Sequence, residues 1–254
     1  MKKLFTLIIL LLSTTFAFSA VYYSESTYDS EEEVESEKSS SGFKLYFADT
    51  YCNPSIRLQS LKPNGDNLTT NGFTMELGKF NSDEDGLIDI ISDSLFGMQF
   101  GSTNISSNSS FSVNYGTKSY YPLDDGFFCT FYAKEDVGVQ LNLLLVSFGA
   151  TIGMRAGYDF FHYSGWTVDR RNIVDIFENT FYADIVNGVY ASLNLGKLKF
   201  MCTFDVAMLP IVNVNFDSLV FDNGKYSKNK NPVVDWFGEM NNDISFGLSA
   251  VFFF

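Results

Sequence analysis

The sequence predicts an all-β fold, a single closed antiparallel up-and-down transmembrane β-barrel, and three observations carry that expectation. First, counting back from the end of the chain, Phe254, Phe252, Ala250, Leu248, Phe246 and Ile244 are all apolar. Apolar residues at every second position are the signature of a strand. The stretch Ile244 to Phe254 also fits the roughly 9–11 residues that a tilted strand needs to cross a bilayer. Second, Phe148, Ala150, Ile152, Met154, Ala156, Tyr158 and Phe160 alternate with Gly149, Thr151, Gly153, Arg155, Gly157 and Asp159. Glycine weakens a strand that faces water, so a glycine-lined face fits a narrow lumen, where small residues leave space for side chains from neighbouring strands. Third, from Gly42 onward short alternating segments succeed one another between polar, Gly- or Asn-rich stretches. Each segment is weak alone, and their regular succession is the pattern of a barrel wall.

In chain order, residues 1–20 have the layout of an export signal peptide: Lys2 and Lys3, the apolar run Leu4 to Leu12, then small residues at Ala17, Ser19 and Ala20, with cleavage near Ser19 or Ala20. The apolar run is too short for a spanning helix. Residues 21–41 carry Glu25, Asp29, Glu31, Glu32, Glu33, Glu35 and Glu37 among serines. Such a stretch buries too little apolar surface to fold and reads as an acidic disordered leader. The barrel domain is then 42–254.

Within it, Phe43, Leu45 and Phe47 open the first segment, Phe73, Met75 and Leu77 mark the second, and Phe96, Met98 and Phe100 the third. Phe111, Val113 and Tyr115 give a fourth, and Phe127, Cys129, Phe131 and Ala133 a fifth. After the Gly-lined segment come Val189 to Leu195 and Leu198 to Met208, joined by Gly196-Lys197 as a tight hairpin. Val137 to Gly153 could be drawn as a spanning helix, but Gln140, Asn142 and the glycines at 138, 149 and 153 oppose it. A single-chain barrel with both ends on one side needs an even strand number. Eight strands result if one weak early segment is a loop, and ten if Val137 to Leu145 is an extra strand; eight is favoured. The last strand then ends on the side of the short turns, and 161–186 and 209–242 are expected to be exposed loops.

Composition narrows the function classes. Aromatics make up 17% of the chain, with 27 Phe and 14 Tyr, beside 19 Gly and 5 Pro, the residues of girdles and crowded barrel walls. Mean hydropathy is +0.02, without the apolar excess of a helical membrane protein. The net charge is -13, and an acidic surface repels phosphate backbones, which argues against nucleic acid as a partner. Cys52, Cys129 and Cys202 form no metal-ligand spacing, and His162 is the single histidine. No metal or other cofactor is expected, and whether any two cysteines are bridged stays open. His162 could act as a general base beside Asp159 or Asp169. No GxSxG motif, paired-carboxylate motif or second His accompanies it, so an interfacial aromatic neighbourhood is the preferred reading and no catalysis is expected. The sequons at Asn67, Asn104 and Asn108 carry little meaning in a bacterial-type export context.

The terminal strand, with its alternating Phe246, Leu248, Ala250, Phe252 and Phe254, resembles the closing strand of bacterial outer-membrane β-barrel proteins. The pattern of 42–254 looks like the small OmpA-, OmpX- or OmpW-type barrels. The resemblance implies an exported protein of the outer membrane whose last strand is recognised by the barrel assembly machinery, with lipid around the wall. Short periplasmic turns and long outer loops would place small solutes or host and surface ligands as partners outside. Arg155 and Asp159, on one strand face, are expected to project into the lumen as part of a polar network that closes the bore. The expected role is structural, adhesive or concerned with small solutes. A passive, porin-like pore and a soluble secreted or periplasmic β-sheet binding protein are the alternatives.

Overall fold

The computed structural model describes residues 39–52, 61–63, 69–83, 86–104, 111–113, 119–122, 126–167, 173–216, 219–222, 225–228, 233–237 and 243–254. The expected export signal and most of the expected acidic leader lie outside these residues; Ser39–Ser41 belong to the first strand. Eight long strands form the wall: β1 (Ser39–Cys52), β2 (Thr69–Asp83), β3 (Ile88–Asn104), β4 (Gly126–Leu143), β5 (Val146–Thr167), β6 (Ile173–Leu195), β7 (Leu198–Asn215) and β8 (Asp243–Phe253). Each pairs antiparallel with its neighbours in sequence. β8 closes the ring against β1, from Gly42 opposite Phe253 to Tyr51 opposite Ile244.

Cα partners followed once around the ring define its stagger. The path runs Leu198, Phe252, Phe43, Lys79, Ser94, Glu135, Met154, Ile185 and returns to β7 at Leu209. It re-enters its first strand well above its starting point, so the strands tilt against the barrel axis as closure demands. An extra residue is inserted in β7 between Ala207 and Leu209.

The strand number is eight, the favoured count, and two segments decide it against ten. Val137 to Leu143 is the end of β4 rather than a separate strand. Phe111–Val113 lies outside the ring, paired with Leu61–Pro63 and Ser119–Pro122; Tyr115 is outside the described residues. Two expected loops are also largely strand. Phe161–Thr167 and Ile173–Val186 extend β5 and β6, and Leu209–Asn215 extends β7. Acidic residues at Asp175, Glu178 and Asp184 gave that region the look of a loop. In the ring Glu178 and Asp184 occupy buried inward positions, where a barrel tolerates polarity. No described helix is long and apolar enough to cross a membrane; the stretch Val137 to Gly153 is strand, tight turn and strand.

Pleating sends alternate residues to opposite sides of the wall. Outward positions form an apolar surface that includes Phe47, Leu77, Phe96, Phe131, Val139, Phe148, Ile152, Val189, Phe200 and Leu248. Inward positions combine charged and polar side chains with buried aromatic and aliphatic ones and with glycine. Glycines notch the inner wall for tyrosines: a Cβ on Gly97 would lie 2.1 Å from the Tyr132 ring, and one on Gly149 2.3 Å from that of Tyr190. Tight turns join the strands at one end, at Leu144-Leu145 and at Gly196-Lys197, where Gly196 has φ of 65°. At the other end β5 and β6, 22 and 23 residues long against 11 for β8, rise past the rest of the ring. Short strands build on them there. Leu219–Asp222 pairs with β6 and then with Lys225–Lys228, and Ser119–Pro122 pairs with β5. Val233–Trp236 adds to β7.

Candidate functional site

The inward residues stack in three layers. Near the tight turns Phe80, Ile91, Tyr190, Met201 and Val251 make an apolar floor, with Phe253 packed against it. The Phe80 and Phe253 rings meet edge-on at 6.0 Å, and Lys199 Nζ sits 4.7 Å above the Phe80 ring centroid. At the far end Phe128 and Phe161, both buried, stack at 6.0 Å.

Between them lies an ionic layer. Lys44 Nζ bonds Asp93 Oδ2 at 2.6 Å. Lys134 Nζ reaches Asp136 Oδ2 at 2.9 Å and Asp205 Oδ2, across the bore, at 3.3 Å. Arg155 holds Asp184 in a two-pronged pair, Nε to Oδ1 at 3.0 Å and Nη2 to Oδ2 at 2.7 Å, while Nη2 also donates to Asp243 Oδ2 at 2.9 Å. The same guanidinium lies over the rings of Tyr132 and Tyr182, at 5.4 and 5.3 Å. Tyr132 donates to Glu76 at 2.6 Å. All of these groups are buried, and charges taken from water need such partners, because an unpaired one is strongly destabilising.

Little space remains. A cavity of about 10 Å³ lies among Lys44, Glu76, Asp93, Lys134, Asp136 and Asp205, room for about one water. A larger recess of about 270 Å³ sits at the tight-turn end, lined by Asp89, Gln140, Asn142, Asn194 and Lys199. There Tyr190 donates to Gln140 at 2.8 Å, and Lys199 also donates to Gln140.

Arg155 and Asp159 both occupy the interior, at 6% and 0% exposure. They stand at different levels: Arg155 engages Asp184 and Asp243, while Asp159 accepts from Thr130. Asp184, Asp243, Asp205 and Lys134 were not among the residues singled out in the sequence. Their signal was inward parity on a strand: Asp184 fell in 161–186, which reads as a loop, Asp205 stood on the polar face of the segment Leu198 to Met208, and Lys134 and Asp243 each stood one residue beyond an alternating segment. In β8, Phe246, Leu248, Phe252 and Phe254 lie on the outer surface, exposed by 58%, 65%, 46% and 85%, with Ala250 on the same face. Phe253 points the other way, into the floor.

His162 is on the outer face of β5, its ring tilted against Phe177 at 4.6 Å and near Phe127 at 5.4 Å. Its charged partner is Asp175, with Nε2 to Oδ1 at 3.4 Å. Pairing with Asp159 is ruled out by parity, since Asp159 points into the bore; Asp169 is outside the described residues. Cys129 and Cys202 are free thiols in the wall. Among the described residues no cluster of His, Cys, Asp or Glu could hold a metal ion.

No family model matches this chain, and no curated protein matches it. Among solved structures it is similar to the attachment invasion locus protein Ail of Yersinia pestis, solved with the heparin analogue sucrose octasulfate. The identity is 13% and the TM-score 0.42, over 85% of this chain and 99% of that one. A major outer membrane protein of Thermus thermophilus matches at 13% identity and TM-score 0.42, over 84% and 99%. The outer membrane protease OmpT of Escherichia coli matches at 8% and 0.35, over 88% and 99%.

Proposed function

We propose that this chain is an integral outer-membrane β-barrel protein with a closed bore, which acts through its outer surface in a structural or adhesive role and neither catalyses nor conducts. The observation that carries this reading is the packing of the interior. The ionic layer crosses the bore between β4 and β7 and between β5 and β8, with β5 also tied to its neighbour β6, and its central cavity has room for about one water. A conducting barrel needs a continuous aqueous path, which eight strands are barely wide enough to leave. The apolar exterior supports lipid around the wall: rows of Phe, Leu and Val on a closed ring have no other core to cover. The terminal apolar face of β8 is the feature the assembly machinery would read. The strands built on the rise of β5 and β6 offer a shaped surface to host or environmental ligands.

The test is to purify the full chain, reconstitute it and record in planar bilayers. Heat-modifiable migration on gels and no large steady conductance are expected. A large, stable conductance that Arg155→Ala leaves unaltered would overturn the closed-bore reading. A mature chain that stays soluble after lysis without detergent would overturn the membrane reading.

A further inference from the structure

Across β2, β3 and β4 the outer wall carries a polar stripe. Lys79, Ser94 and Glu135 are consecutive Cα partners on β2, β3 and β4, and all three face outward. The row continues into Phe43 on one side and Met154 on the other. Ser94 donates to Glu135 Oε2 at 2.6 Å, and one row below Asn81 donates to Ser92 at 3.1 Å. Apolar residues bracket the stripe on β3, at Phe96 and Ile90, and on β4, at Ala133 and Val137; on β2 Leu77 bounds it on one side, and Asn81 and Asp83 continue it to the strand end. Lipid tails offer a carboxylate no hydrogen bond, and ionisable groups on a membrane-facing wall are costly.

From this we infer that the β2–β4 face is where two copies of this chain associate, side by side in the membrane. The inference rests on the membrane reading above. The row holds one cation and one anion at its two ends, with the Ser94 hydroxyl between them, which can both donate and accept. A two-fold axis through Ser94 would set Lys79 of each copy against Glu135 of the other, the self-complementary pattern a symmetric dimer requires. It would also remove both charges from lipid.

Differently tagged forms of the full chain, reconstituted in phosphatidylethanolamine–phosphatidylglycerol vesicles, test this by co-purification. The wild type is expected to recover its second tag. Lys79→Glu alone sets acid against acid, Glu135→Lys alone sets base against base, and each is expected to lose the dimer. Vesicles containing both variants are expected to regain it, since each reversed charge then meets its complement. A pairing confined within one chain cannot produce that rescue. Heat-modifiable migration shows that each variant is folded; should a reversal not fold, Lys79→Gln and Glu135→Gln replace it, and their mixture regains one of the two pairs. An inserted, heat-modifiable wild type that stays monomeric sinks the dimer alone. Single reversals that dimerise as well as wild type do the same, because another face then mediates contact. A wild type that fails to insert removes the membrane reading and the dimer with it.

Discussion

Lys134, Glu135 and Asp136 are three adjacent charges on β4, and the pleat of the strand gives them two different fates. Lys134 and Asp136 point inward, 5% and 3% exposed, and join an ionic layer that includes Asp205 from the opposite wall. Glu135 points outward, half-buried, with Ser94 as its hydrogen-bond donor. The interior set is held by partners from several strands around a closed ring, so removing any member strands another charge. The exterior set draws on its own row, as Glu135 does on Ser94, and apolar residues of β3 and β4 flank it. A charge in a barrel wall is therefore structural or interfacial according to its parity.

Variants on the two sides can break or sharpen that contrast. The largest expected effect is Arg155→Leu, which leaves Asp184 and Asp243 without their guanidinium. A loss of about 3–5 kcal/mol is expected, read as a lower urea midpoint of heat-modifiable barrel in detergent. An unchanged midpoint would show that the ionic layer does not hold the ring. Gly97→Ala comes next, because its methyl would enter the Tyr132 ring; overpacking of this kind costs about 1–3 kcal/mol. Gly86→Ala, whose Cβ meets nothing closer than 3.4 Å, is the matched control and should leave the midpoint in place.

Phe253→Ser should cost about 1–2 kcal/mol, since the half-buried ring packs on Phe80 in the floor. Deleting Phe254, 85% exposed, should lower the assembled yield in the outer membrane with little change in the midpoint of what does assemble. Equal effects of both changes on both measurements would erase the distinction between the two faces of β8. Phe253 thus matters more than an alternating terminal pattern suggests, because its parity turns it into the floor. Glu135→Leu is expected to leave the midpoint unchanged or raise it, opposite in sign to Arg155→Leu, because it removes a carboxylate from an apolar wall. A drop as large as that of Arg155→Leu would make Glu135 a structural member of the ring itself. The smallest effect belongs to Leu144→Gly in the β4–β5 turn. Leu144 has φ of 57° and is 98% exposed, so relief of left-handed strain opposes glycine's greater chain entropy. The net gain should be below about 1 kcal/mol.

Much of the barrel was legible in the sequence because strand parity is a local property. Phe148 to Phe160 declared which residues face in and which face out, and Gly196-Lys197 declared a hairpin. The ends of the strands were not legible. In Ile173–Val186 the inward acids mask the alternation, and in β4 the run Lys134 to Asp136 reads as an interruption until partners on other strands are known. Phe111–Val113 shows the converse: its alternation is real, but it pairs outside the ring.

By itself, the sequence determined that this chain makes strands, which faces are apolar, and that Arg155 and Asp159 share the polar side of one strand. Only the tertiary structure decided that Arg155 meets Asp184 and Asp243, that Lys134 meets Asp205, and that Lys79, Ser94 and Glu135 align on the outer wall. The physical reason is the stagger of the closed ring. Parity follows from backbone geometry residue by residue, but which levels of distant strands coincide depends on how far the sheet shifts before it meets itself.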